Sequence, residues 1–107
     1  MNDPTIESLQ RLLRDFARER DWEQYHSPQN LASLISTEAG ELLALFRWGQ
    51  DAVSDQPGAV RRELADVFLG VLRFADVAGI DLAEAAEEKL ELNSQKYPVS
   101  RKGQPDP

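Results

Sequence analysis

The sequence predicts an all-α fold, a bundle of four helices, on three observations. Apolar residues recur at helical spacing over long stretches, Pro and Ser/Asp start signals precede those stretches, and no run alternates polar and apolar residues as a half-buried strand does. Asp3-Pro4 reads as the start of the first helix, with Pro in the first turn and Ile6, Leu9, Leu13 and Phe16 on one face, ending near Asp21. Ser27-Pro28 is a similar cap and first-turn signal for the second helix, which runs to about Trp48 and stops before Gly49. Its apolar positions are 31, 34, 35, 42, 45 and 46. The polar stretch from Gly49 to Gly58 is a loop tethering the second helix to the third. The third spans about Pro57 to Ala78, closed by Gly79, with a stripe of Val60, Leu64, Val67, Val71, Phe74, Ala75 and Ala78. Asp81-x-x-Glu84 opens the fourth, which ends before Pro98. Residues 1–97 form the domain, and 98–107, short, polar and rich in Pro and Gly, form a flexible tail.

Four carboxylates stand out against this frame. Glu38-x-x-Glu41 and Glu63-x-x-Asp66 are two helical pairs, each on one helix face. At about 100° per residue Glu38 falls near the centre of the apolar stripe of its helix and Glu41 on its flank. A carboxylate on a buried face loses hydration worth several kcal/mol, so it must be protonated, paired with a cation or ligated. A second Glu one turn away makes protonation alone a poor escape. Glu63, Asp66 and Gly70 run along one edge of the third helix, and if that edge faces the first pair, four oxygen ligands converge, the donor set of Mg²⁺ or Mn²⁺. Pairs of acids at this spacing are common on solvated helices, but two pairs, one on an apolar stripe, favour a metal site.

Composition bounds what else the chain can do. At 107 residues it makes one domain with a modest core, one that a second subunit would help to bury. The third helix also carries Phe68, Leu69 and Leu72 off its main stripe, and a helix apolar around most of its circumference is buried on several sides, so a homodimer or a homotetramer built as a dimer of dimers is expected. A net charge of −7 argues against binding a nucleic-acid polymer or an anionic membrane. With no cysteine, no signal peptide and no apolar run near 20 residues, cytoplasmic residence is the expectation.

The two carboxylate pairs, together with Glu-Arg-Asp-Trp-Glu-Gln-Tyr-His-Ser-Pro-Gln-Asn-Leu (19–31), Glu-Ala-Gly-Glu-Leu-Leu-Ala-Leu-Phe-Arg-Trp (38–48), Glu-Leu-Ala-Asp-Val (63–67) and the run from Lys89 to Pro98, resemble the all-α nucleoside triphosphate pyrophosphohydrolases of the MazG type, in particular the dCTP pyrophosphatase branch. The resemblance implies Mg²⁺-dependent cleavage between the α and β phosphates of a nucleoside triphosphate, a nucleotide-pool house-cleaning reaction giving monophosphate and pyrophosphate. It implies Glu38, Glu41, Glu63 and Asp66 as metal ligands and catalytic groups, with one Glu as general base, and Mn²⁺ as a substitute ion. It puts Trp22, His26 and Trp48 near the nucleobase and sugar, where indole rings can stack and imidazole can hydrogen-bond. Lys89, Asn93 and Lys96 share a face of the last helix and are implied as phosphate contacts, joined by Arg101 and Lys102 only if the tail orders. Gly70 departs from the pattern, because relatives often carry a Tyr there, and the missing ring is expected to open the pocket. The rival readings are a non-catalytic helical dimerisation module with a structural or surface acidic cluster, a di-iron bundle disfavoured by the single histidine, and dUTP, phosphoribosyl-ATP or broad NTP hydrolysis.

Overall fold

The computed structural model describes residues 3–99, and among them the only regular structure is helical. Helix α1 spans Ile6–Glu19, a single 3₁₀ turn Glu23–Tyr25, α2 Pro28–Ala44, α3 Ala52–Asp55, α4 Pro57–Ala78 and α5 Leu82–Lys96. The expected four long helices are present, and the polar connection holds an extra short one, α3. That turn forms because the Asp51 carbonyl accepts from Asp55 N (2.8 Å), while Ala52 is buried and the turn packs on α4.

The start of α1 differs from expectation. Thr5, not Asp3, is the cap: its hydroxyl accepts from Ser8 N (3.0 Å) and the Ser8 hydroxyl accepts from Thr5 N (2.7 Å). This reciprocal box, with Ser where Glu or Gln is usual, satisfies two otherwise unpaired donors. The end of α1 sets up the site. Asp21 adopts a left-handed conformation (φ 57°), which a short polar side chain tolerates, and the turn closes with Asp21 N to Arg18 O (3.1 Å) and Trp22 N to Ala17 O (2.8 Å). The reversal lays the Trp22 ring edge-on against Phe16, with centroids 5.6 Å apart.

The other caps follow the sequence. Ser27 Oγ accepts from Asn30 N, Gly79 (φ 70°) closes α4, and Asp81 Oδ1 accepts from Glu84 N. Helix α2 ends earlier than expected, at Ala44. Residues 45–47 continue in tighter turns, with Leu45 N to Leu42 O, Phe46 N to Leu43 O and Arg47 N to Ala44 O. Three residues per turn rotate the chain off the α-helical register, so Trp48 leaves the face it would otherwise share with the carboxylates.

The core sits where α1 and α2 cross α4. Leu31 (1% exposed) and Leu72 (0%) fill it with Ala17 and Ala75, and Gln10 Nε2 donates to Leu72 O across α1 and α4. Helix α4 is rotated from its expected orientation: Gly70, Leu72 and Arg73 are buried beside Ala75, while Leu64 and Ala78 of the expected stripe are exposed. Gly70 is the reason. A Cβ there would lie 3.1 Å from Ile35 Cγ1, so the glycine lets α4 approach α2 along its Glu63, Asp66 and Gly70 edge. Position 70 thus meets Ile35 of α2 on its Cβ side and also lines the cavity described below. Helix α5 has no buried residue. Leu72→Ala is expected to cost about 2–5 kcal/mol, as large-to-small changes do in tightly packed cores. Urea unfolding checks this, and a loss below about 1 kcal/mol would move the core elsewhere.

Pro98 and Val99 are exposed coil, while the rest of the predicted tail, including Arg101 and Lys102, lies outside the described residues.

Candidate metal centre and adjoining cavity

The close approach of α2 and α4 brings acids from both helices together. Carboxylate oxygens of Glu38, Glu41 and Glu63 lie within 4.8 Å of one another. Glu38 Oε2 and Glu63 Oε2 are both buried without a hydrogen-bond partner among the described residues. Two orphaned anionic oxygens at one point are costly unless a cation or a proton answers them. Loss of water and then the adjacent Glu41 carboxyl, with the charges of Asp66 and Glu63, raise the Glu38 carboxyl above its ordinary range. Glu63 is raised by loss of water, then by Glu41 and Asp66, with Arg62 partly opposing. Asp66, a methylene shorter and exposed, stands outside the three-oxygen group, yet its charge reaches both Glu38 and Glu63.

The donor set fits a hard divalent cation: three carboxylates from two rigid helices, no sulfur or imidazole among them, and two oxygens that nothing else satisfies.

A cavity of about 200 Å³ opens beside the cluster. It is lined by Glu38, Asp66, Gly70 and Arg73 with Phe16, Trp22 and His26, and Leu31 and Leu69 are among its apolar walls. Two residues singled out from the sequence as base contacts, Trp22 and His26, thus share a cavity with two of the four acids. Trp22 is 45% exposed, which leaves ring surface free to stack. Trp48 is not in this cavity. It is 91% exposed and borders a separate depression with Asp51 and Asp55. Lys89, Asn93 and Lys96 on α5 do not line the cavity either, and the Lys96 ammonium lies over the Tyr97 ring instead, 5.2 Å from its centroid.

Arg73 also lines this cavity, although no motif in the sequence marks it. Arg73 is buried (8% exposed), with Nε donating to His26 Nδ1 (2.9 Å) and Nη1 reaching Asp76 Oδ2 (3.4 Å), which Arg14 also holds (3.0 Å). Burial and then the Arg73 charge lower the His26 pKa, with Glu23 partly opposing, which favours the neutral ring. A charge in the middle of an apolar stripe is the signal that could have found it: Arg73 follows Glu63, Asp66 and Gly70 on one edge of α4.

Among the described residues no helix is long and apolar enough to cross a membrane. Comparison with known proteins bears on the same residues. The MazG nucleotide pyrophosphohydrolase domain matches residues 26–99. dCTP pyrophosphatase 1 of Rattus norvegicus is 40% identical over 107 aligned positions, covering 91% of this chain and 61% of that protein. The Homo sapiens protein of the same name is 38% identical over 104 positions with the same coverage. The chain thus spans about 61% of the length of these curated relatives. A crystal structure of a pyrophosphatase from Archaeoglobus fulgidus superposes with a TM-score of 0.84 at 38% identity, covering 92% of this chain and 96% of that one. With the domain matched from His26 through α5 and the all-helical fold shared with a solved pyrophosphatase, this chain belongs to the MazG nucleotide pyrophosphohydrolase family.

Proposed function

We propose that this protein is a Mg²⁺-dependent nucleoside triphosphate pyrophosphohydrolase, acting in the cytoplasm to clear dCTP and its modified forms. The observation that carries the reading is the pair of orphaned Glu38 and Glu63 oxygens beside a cavity that also holds Trp22 and His26. Relatives named dCTP pyrophosphatase 1 support the choice of base.

Glu38, Glu41 and Glu63 would hold the cation, with Asp66 completing the set from the next turn of α4. A divalent ion there supplies charge neutralisation for the triphosphate and acidity to a water molecule. The chain's own part is positional. Trp22 offers a face for stacking, His26 offers a hydrogen bond, and the apolar walls exclude water from the nucleoside. The triphosphate then extends toward the acids. One of the Glu carboxylates accepts a proton as water adds at phosphorus. The bridging bond between the α and β phosphates breaks, giving nucleoside monophosphate and pyrophosphate.

Trp48, Lys89, Asn93 and Lys96 enter this scheme only from a neighbouring copy. Exposed Trp48, Leu64, Phe68, Leu90 and Leu92, on a chain whose last helix buries nothing, support a dimer or a dimer of dimers in which those residues complete the site. Sedimentation at micromolar concentration is expected to show a dimer or tetramer, and a monomer there would remove these four residues from the scheme.

A panel of ribo- and deoxynucleoside triphosphates, assayed with Mg²⁺ for pyrophosphate release, tests the proposal. Cytosine deoxynucleotides are expected to lead. Absence of release across the panel would end the enzymatic reading.

A further inference from the structure

Arg73 and His26 are joined by a bond that fixes more than position. The guanidinium keeps its charge and offers donors only, so an Nε to Nδ1 contact of 2.9 Å requires a bare lone pair on His26 Nδ1. The ring's proton must then sit on Nε2. We propose that Arg73 is a specificity-determining positioning residue: it locks His26 as the Nε2–H tautomer, so that the cavity presents a hydrogen-bond donor to the N3 acceptor of a cytosine ring.

The surroundings are built for such a lock. Arg73 is buried, its Nη1 is tied to Asp76, and Arg14 holds Asp76 from α1, so the guanidinium has little freedom to swing away. Both Arg73 and His26 line the cavity that carries Trp22, while Nε2 of His26 makes no hydrogen bond among the described residues. Gly70, one turn before Arg73, lines the same cavity and has no side chain to reach either ring. The choice of base follows from hydrogen-bond chemistry. Cytosine carries an acceptor at N3, whereas uracil and thymine carry N–H there, and a donor facing a donor leaves both unsatisfied. The lowered His26 pKa agrees, since imidazolium would bear hydrogens on both nitrogens and break the bond to Arg73. This inference rests on the cytosine-nucleotide reading above, so its test includes arms that need neither metal nor turnover.

His26 is the only histidine, so ¹⁵N-histidine labelling gives one imidazole to observe. In the metal-free protein at neutral pH, long-range ¹H–¹⁵N spectra are expected to show the Nε2–H tautomer alone. A ring protonated at Nδ1, alone or in a mixture, overturns the proposal. dCMP is expected to shift the Nε2 signal more than dTMP does, and equal shifts count against it. In the Arg73→Met variant, both tautomers should appear. KM for dCTP should rise about tenfold to a hundredfold with kcat changed by less than about threefold, as loss of one charge-assisted polar contact implies. Preference over dTTP should fall in step, and Arg73→Lys, which keeps a donor, should restore part of it. An unchanged tautomer or an unchanged dCTP-to-dTTP ratio in Arg73→Met refutes the lock. If that variant does not fold, the tautomer and the dCMP comparison in the unaltered protein still decide. If pyrophosphate release is absent while the single tautomer and the dCMP preference hold, the catalytic reading fails and the lock stands.

Discussion

Glu38→Gln is expected to lower turnover by at least about two orders of magnitude and, in the same protein without metal, to raise the melting temperature. The two effects have one cause. Glu38 Oε2 is buried with no partner, and its neighbours Glu41, Glu63 and Asp66 all repel its charge. An amide has nearly the same shape and carries no charge, so the metal-free cluster relaxes while a ligand and its electrostatic pull are lost. An acid serving only as a surface group would show neither change. A helical dimerisation module with a solvated acidic face predicts no loss of any activity and no gain in stability, so kinetics and melting on one variant separate the two readings. Glu63→Gln should behave alike, because Glu63 Oε2 is orphaned in the same way. Near-normal turnover in both variants would remove these residues from the chemistry.

Local signals in the sequence carried much of the fold. Ser27-Pro28, Gly79 and Asp81-x-x-Glu84 each mark a real helix end, because caps depend on a few adjacent residues. Thr5 was harder to read, since its box uses Ser8 where the usual motif has an acid or amide. The juxtaposition of Glu38, Glu41 and Glu63 was legible from spacing alone, since i,i+3 pairs on two tethered helices need only the correct faces turned inward. The rotation of α4 was not. Its hydrophobic stripe points to Leu64 and Ala78, and only the contact between Gly70 and Ile35, a fact of two helices together, explains why Gly70 and Arg73 are buried instead. Trp48 stands away from this chain's cavity for a related reason: helical projection assumes a constant turn, and residues 45–47 tighten it. Arg73 escaped because a long charged side chain on a helix is ordinarily a solvent-facing group, and its partner His26 lies 47 residues away.

Metal removal is expected to end the proposed activity and to reverse the sign of the pH dependence of stability. With EDTA, pyrophosphate release is expected to vanish and to return with Mg²⁺ or Mn²⁺, because three carboxylates and no soft ligand form the cluster. For stability, the carboxyls of Glu38 and Glu63 sit above their ordinary range in the folded, metal-free chain. Between the unfolded and the folded pKa the native state therefore binds more protons than the unfolded state, and unfolding free energy falls as pH rises. Metal-free protein should gain stability from these two groups as pH is lowered from neutral toward the ordinary carboxylate range. That gain is complete below the unfolded pKa, where acid effects at other groups take over. With Mg²⁺ in excess the order inverts, since ligands must be deprotonated and a bound ion adds about 2.7 kcal/mol at a hundred times its dissociation constant. Melting temperatures measured from neutral pH to about pH 5, with EDTA and with Mg²⁺, should therefore diverge at neutral pH and converge in acid. Parallel curves, or EDTA-treated protein that only loses stability on acidification, would show that Glu38 and Glu63 are not held together against their charge, and the metal reading would lose its structural basis.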